Sequence, residues 1–236
     1  MKENYQKQLD ALLSALPPEE KPRLLLQSCC GPCSSYVLEY LTRYFRVTVL
    51  YYNPNIQPRA EYDRRLYWQR ELIRQLPTPE PVDLLACDYD GQRYIDAVRG
   101  LEREPEGGAR CTVCFRLRLE ETARQAHAHG FDFFGTTLTV SPHKDAQRLN
   151  AIGAELAQQT ACAGCRRTSK SARAISAASS CPNSTASTGR NTAAVCTANR
   201  LTTRRRGSRI TAVTIHHAQV PYPCAHNVCN EKNGRN

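Results

Sequence analysis

Two cysteines stand side by side where an apolar run meets a turn, in Leu24-Leu25-Leu26-Gln27-Ser28-Cys29-Cys30-Gly31-Pro32-Cys33, and a second close pair follows far along the chain in Cys111-Thr112-Val113-Cys114. Thiolate sulfur is the ligand of zinc and of iron–sulfur clusters, and two close pairs from separate segments can close one four-coordinate site. Cys29, Cys30, Cys111 and Cys114 supply that count. Structural zinc pairs normally stand two to four residues apart, so adjacent cysteines lean toward a cluster, although spacing alone leaves the metal open. The plainer alternative is a set of buried free thiols packing as small hydrophobes. Against it, Gly31-Pro32 and Gly107-Gly108-Ala109-Arg110 place these sulfurs on loops.

Other groups could join such a site. Cys33 and Cys87 are either spare thiols beside it or packing residues. Asp88 and Asp90 flank Tyr89 and offer an oxygen ligand or a proton donor; equally they start a helix. His143 and Lys144 open a helix and could meet a phosphate there. Arg110, Arg116 and Arg118 surround the second cysteine pair, as a cationic rim or as an ordinary charged helix face.

The elements that must position these groups follow from periodicity. Arg23 to Ser28, Phe45 to Tyr52, Val82 to Ala86 and Phe131 to Leu138 read as strands, and Ser34 to Tyr44, Glu61 to Leu76, Tyr94 to Val98, Cys114 to His129 and His143 to Gln159 as helices. Strands alternating with helices predict an α/β fold, a Rossmann-like parallel sheet with helices on both faces. Ligands in such sheets gather beyond the carboxyl ends of the strands. Cys29, Cys30, Asn53, Cys87, Asp88 and Thr136 to Ser141 all fall there, on one rim.

Composition divides the chain near Thr160. Residues 1–160 carry 20 Lys+Arg and 21 Asp+Glu, the remaining 76 carry 12 and 1, and every Trp and Phe lies in the first part. A segment without large apolar side chains buries too little surface to offset its ordering entropy. The expectation is one domain, 1–160, and a disordered basic tail, 161–236. Met1 to Asp10 has no signal-peptide pattern, and no apolar run reaches the ~18 residues of a membrane span. A cytoplasmic protein is expected, in a reducing compartment where clustered cysteines bind metal more often than they form disulfides.

The run Leu24 to Ser34, Tyr52-Asn53-Pro54-Asn55-Ile56, Cys87-Asp88-Tyr89, Glu104 to Arg118 and Thr136 to Lys144 together resemble the QueH family of epoxyqueuosine reductases. The resemblance implies a Rossmann-type enzyme, an oxidoreductase that completes queuosine in tRNA by removing the epoxide oxygen of epoxyqueuosine at the anticodon wobble position. It implies a 4Fe-4S cluster held by Cys29, Cys30, Cys111 and Cys114, an adjacent mononuclear metal ion, and Asp88 and Cys33 as contacts near that exposed metal. The partners it implies are a tRNA bearing epoxyqueuosine and an electron donor of unknown identity. Anticodon bases are usually taken unstacked, on aromatic side chains, and Tyr51, Tyr52, Tyr62 and Tyr89 are available for this. A competing reading is a non-catalytic, zinc-stabilised RNA-binding module. A nucleotide-activating enzyme is disfavoured, because the first strand ends in Cys-Cys-Gly-Pro and not in a Gly-rich phosphate loop.

The family pattern continues with a segment ending Tyr-Cys-Gly-Cys, whose cysteines form a redox-active disulfide; here the chain runs Ala161-Cys162-Ala163-Gly164-Cys165. Yet a shifted reading frame, built from the third base of each codon and the first two of the next, permits the missing segment. From Gly164 it allows Trp-Leu-Pro-Ser-Asp-Phe-Lys-Lys, and across Asn191 to Val195 it allows Tyr-Cys-Gly-Cys. Residues 161–236 are therefore read as a frameshift product, and their six cysteines and Arg204-Arg205-Arg206 as carrying no specific function.

Overall fold

The computed structural model describes residues 4–17, 19–141, 143–165 and 210–213. Five strands, β1 (Arg23–Gln27), β2 (Arg46–Tyr51), β3 (Asp83–Ala86), β4 (Phe133–Thr136) and β5 (Thr211–Val213), form one sheet in the order β3-β2-β1-β4-β5. Every pairing is parallel. Six helices accompany them: α1 (Tyr5–Ser14), α2 (Gly31–Leu41), α3 (Arg59–Gln75), α4 (Gly91–Ala97), α5 (Ala109–His129) and α6 (Ala146–Cys165).

Helices cover both faces because successive side chains of a strand point to opposite sides. Leu24 and Leu26 of β1 pack with Leu9 and Leu13 of α1 and Val37, Leu38 and Leu41 of α2. Leu25 packs the other way, with Phe115, Leu119 and Ala123 of α5 and Leu149, Ile152 and Leu156 of α6. The expected α/β architecture is thus present, and no helix among the described residues is long and apolar enough to cross a membrane.

Several boundaries differ from the sequence expectation. α1 was not expected; its Leu9 and Leu13 seal one face of the sheet, and the Asn4 side chain caps its start. α2 begins at Gly31, with Cys30 as its N-cap and Pro32 in the first turn, where a fixed φ and a missing N–H cost nothing. α5 begins at Ala109, so Cys111 and Cys114 sit in its first turns. Gly107, at φ 84°, supplies the left-handed turn that aims the chain into it. β4 stops at Thr136 and passes into a 3-10 turn, Thr137–Val140.

β5 lies inside the segment expected to be unstructured: Thr211–Val213 pair with Phe133, Phe134 and Gly135, and Ile210 and Val213 are buried. The rest of the proposed tail, 166–209 and 214–236, with the cysteines and the arginine run noted above, lies outside the described residues.

Candidate metal centre

β1 pairs with β2 on one side and β4 on the other, so the chain leaves β1 in one direction and returns on the opposite one. This is the switch point where parallel sheets open a crevice. The turn Ser28-Cys29-Cys30 starts there. Gln27, fully buried, donates from Nε2 to the Tyr52 carbonyl at 3.2 Å and to Asn53 Oδ1 at 3.0 Å, and its Oε1 accepts from Thr136 Oγ1 at 2.7 Å. One carboxamide therefore ties together the ends of β1, β2 and β4. Asn53 Nδ2 then holds the Ser28 carbonyl at 2.8 Å.

Beneath the cysteines lies a second buried network. Ser34 Oγ donates to the Cys30 carbonyl at 2.8 Å, Ser28 and Ser34 hydroxyls bond one another, and Gln69 Oε1 accepts from Ser28 at 2.9 Å and from Ser34 at 3.2 Å. Gln69 belongs to α3, which thereby braces the turn from below.

On this support the sulfurs of Cys29 and Cys30 stand 3.7 Å apart and those of Cys30 and Cys33 3.1 Å apart. All three sulfurs lie within 4.8 Å of one another and could hold a metal ion. Hydrogen bonds from the Cys30 and Cys33 thiols hold the Cys29 thiol well below its usual range, with the charge of Arg118 and the Thr137 hydroxyl adding to the effect and burial opposing it. The proton-donating partners move the other way: Cys30 is pushed up to about 12, first by its bond to Cys29, and Cys33 is raised by its bonds to both. Of the three thiols, Cys29 is the one whose surroundings favour ionisation. Thiolate is the form that binds a soft metal, so the donor chemistry fits such a group, and loading it would release protons.

Cys111 and Cys114 approach the same rim from α5. Cys111 Sγ accepts from the Gly107 N–H at 3.3 Å, and its side chain belongs to the apolar cluster against which Cys29 packs. Cys114 Sγ accepts from Arg118 Nη2 at 3.3 Å. Their sulfurs stand outside the 4.8 Å group of Cys29, Cys30 and Cys33. Arg118 joins the two segments: it is 4% exposed, and its Nη1 lies 3.5 Å from Asn53 Oδ1. The other arginines of this stretch face elsewhere, Arg116 pairing with Glu155 and Arg110 with the Glu102 carbonyl. Arg148 braces the glycine turn through the Gly107 carbonyl at 2.7 Å and Thr112 Oγ1 at 2.8 Å. Lys144 pairs with Glu106, and His143 is exposed.

Asp88 is not among the ligand atoms of that group. It lines an open cleft of about 470 Å³ with Tyr52, Cys87, Asp90, Arg93, Glu121, Arg124 and Gln125. Burial pushes the Cys87 thiol up to about 11, which keeps it neutral. Tyr52 Oη is buried in this wall with no hydrogen-bond partner among the described residues. Asp90 accepts from the Arg93 N–H and caps α4.

Three of the four tyrosines offered for stacking are buried: Tyr51, Tyr52 and Tyr62 are core residues. Tyr89 tilts against the Tyr62 ring at 5.0 Å. The exposed large aromatics among the described residues are Tyr67 and Trp68 on α3. Gln69, Arg118 and the Tyr67–Trp68 pair are what the sequence reading missed or misplaced. Gln69 falls at the helical spacing of Tyr62 and Leu66, which was the available signal for its burial.

The sequence profile of the family described as epoxyqueuosine reductase QueH matches residues 24–181. A protein named epoxyqueuosine reductase QueH from Streptococcus pyogenes serotype M1 is 42% identical over 156 residues, 65% of this chain and 61% of that protein. Another of that name from Staphylococcus epidermidis is 41% identical over 158 residues, 65% of this chain and 66% of the relative. One from Haemophilus influenzae is 41% identical over 143 residues, 60% and 57% of the two chains. The chain thus spans less than two thirds of the length of these curated relatives. With a match from residue 24 to residue 181, more than half of its length, the chain belongs to the epoxyqueuosine reductase QueH family.

Proposed function

We propose that this chain is an epoxyqueuosine reductase, converting epoxyqueuosine to queuosine at the wobble position of a tRNA anticodon. The observation that carries the reading is the group of Cys29, Cys30 and Cys33 sulfurs at the switch point of a sheet whose family bears that name. Releasing the epoxide oxygen as water consumes two electrons and two protons, so the site must bring reducing equivalents to the substrate.

In this reading Cys29, Cys30, Cys111 and Cys114 hold a 4Fe-4S cluster, and Cys33 and Asp88 contact an adjacent mononuclear metal ion. When bound, the cluster supplies electrons and the ion a Lewis acid. The protein's own part is preorganisation. Ser28, Ser34 and Gln69 fix the turn from below, Gln27 and Asn53 fix it from the strand ends, and the Arg118 charge favours thiolate at the rim. The cleft beside Asp88, lined also by Asp90, Arg93 and Gln125, offers polar groups to a bound nucleoside. The electrons come from an outside donor. The cytoplasm is the fitting compartment, since tRNA and reduced thiols coexist there. We also read residues 161–236 as a frameshift product, so the chain lacks the Cys-Gly-Cys dithiol and turns over poorly.

The test is anaerobic purification of the full chain, with iron, sulfide and zinc counts and with conversion of epoxyqueuosine in tRNA followed by nucleoside mass spectrometry. Bound iron and sulfide with single-turnover conversion are expected. Cys29→Ser, Cys30→Ser, Cys111→Ser and Cys114→Ser should each lose sulfide, whereas Cys33→Ser should keep it and lose conversion. Zinc without iron or sulfide would sink the reductase reading in favour of the zinc-stabilised RNA-binding module. Sustained multiple turnover would overturn only the reading of residues 161–236.

A further inference from the structure

Tyr67 and Trp68 form an edge-to-face pair on α3, ring centroids 5.2 Å apart at 74°, and they are 55% and 60% exposed. They stand apart in a described chain whose other large aromatics are mostly packed away. Single exposed apolar residues are common and need no explanation. Two adjacent rings next to a candidate active site, within a cationic helix face, are a different matter.

The position follows from the helix. One turn before the pair stands Arg64, and one turn after Tyr67 stands Arg70, followed by Arg74; residues three and four apart share a helix face. Across α3, arginines 59, 64, 65, 70 and 74 outnumber acids 61, 63 and 71, while residues 1–160 as a whole carry one more acid than base. Arg64 and Arg74 pair with Glu61 and Glu71, but Arg70 is exposed and has no ion-pair partner among the described residues.

The opposite side of the same turn touches the cysteine turn. A Cβ on Gly31, the residue after Cys30, would lie 3.8 Å from the Trp68 carbonyl oxygen and from Leu72 Cδ2. Gln69, the next residue, accepts from Ser28 and Ser34 beneath the sulfurs. The rings therefore stand on the outer side of the helical turn that props up the thiol group.

We infer that Tyr67 and Trp68, with Arg70 beside them, are a stacking platform for an unpaired nucleotide of the RNA substrate, one that flanks the base presented to the cysteines. The inference rests on the reductase reading and names a contact of its substrate. Exposed aromatic faces interleaved with arginine are what single-stranded nucleic acid requires: bases stack on the rings and phosphates meet the guanidinium. The buried Tyr51, Tyr52 and Tyr62 leave no comparable surface at this rim.

Trp68 is the only tryptophan of the chain, so its fluorescence reports on this spot alone. The experiment titrates the full chain with a fluorophore-labelled anticodon stem-loop RNA and, in parallel, with a fully paired duplex of the same composition, reading RNA anisotropy and Trp68 emission together. Quenching by the stem-loop that tracks its anisotropy, and is weaker for the duplex, is expected. Trp68→Ala should weaken stem-loop binding about five- to hundredfold, the range that base-on-aromatic stacking carries, while Trp68→Phe restores most of it. Arg70→Gln should lower the slope of log affinity against log salt by about 1. Both rings are surface residues, and circular dichroism of the variants confirms the fold. Stem-loop binding by anisotropy with unchanged emission and an affinity unaltered by Trp68→Ala overturns the inference and leaves the reductase reading intact. Equal quenching by the duplex also overturns it, by assigning the contact to charge alone, including that of the 161–236 segment with its 12 Lys+Arg against 1 Asp+Glu. Self-association relieved by Trp68→Ala, without an RNA effect, assigns the rings to a protein contact instead. Absence of stem-loop binding altogether overturns both readings.

Discussion

Arg118 Nη2 lies 3.3 Å from the Cys114 sulfur, and the guanidinium, 4% exposed, has no carboxylate partner among the described residues, only that sulfur, the Cys114 carbonyl and Asn53 Oδ1. A buried cation is costly unless an opposite charge accompanies it. At this rim the Arg118 charge favours the thiolate form of Cys29.

Replacing Arg118 removes the compensation from the sulfur side. Arg118→Leu is expected to lower the melting temperature without abolishing the fold, because removing one partner of a buried charged contact is destabilising. It is also expected to cut bound iron per chain by more than half. Circular dichroism with iron analysis checks both; full iron content in the variant would show that the cysteines need no buried cation.

Gln69 tests the support under the cysteine turn. Gln69→Leu leaves the Ser28 and Ser34 hydroxyls without their shared acceptor, which in a buried site costs about 1–3 kcal/mol. For a domain of this size Tm should fall by about 2–10 °C. An unchanged melting curve would mean that the two serines satisfy one another and the helix is not bracing them.

Glu121, whose side chain is 8% exposed in the wall of the Asp88 cleft, gives a pH signature. Burial alone would raise its carboxyl, but hydrogen bonds from Arg124 at 2.9 Å and Gln125 at 2.8 Å, with the charges of Arg124 and Arg93, outweigh it and hold the group below 4.5. A carboxyl lowered on folding contributes stability above its unfolded value and loses it as pH falls through the folded one. Between about pH 5 and 3 the wild-type Tm should therefore fall more steeply than that of Glu121→Gln, and near pH 7 the variant should be the less stable. Thermal melts across that range decide it; parallel curves would contradict the ion-pair account.

Much of the architecture was legible from local pattern. The apolar run Leu24–Leu26 ending in a Cys-Cys-Gly-Pro turn announces a buried strand and a loop whatever surrounds it, and α3 and α5 have the 3.6-residue period over many turns. The alternation of strand and helix put Cys29, Asn53, Cys87 and Thr136 at strand ends. The register Gln27↔Leu50 and Gln27↔Thr136 places those ends side by side. β5 was not legible, since Thr211–Val213 is too short to announce itself and exists only by pairing with β4.

At the site, residue types were readable and distances were not. The sequence by itself determined that two close cysteine pairs stand at the strand and helix boundaries of a parallel α/β sheet, because strand period, turn residues and thiol chemistry are all local properties; that the second pair lies in the first turns of α5 and not on a loop, it did not. Only the tertiary structure decided that Cys33 joins Cys29 and Cys30 within 4.8 Å, that Asp88 lines an open cleft with Tyr52 and Cys87, and that Arg118 is buried between the cysteine segments. It also decided that Tyr51, Tyr52 and Tyr62 are core while Tyr67 and Trp68 face solvent. Burial and proximity depend on which faces of remote elements meet, and no local pattern carries that information.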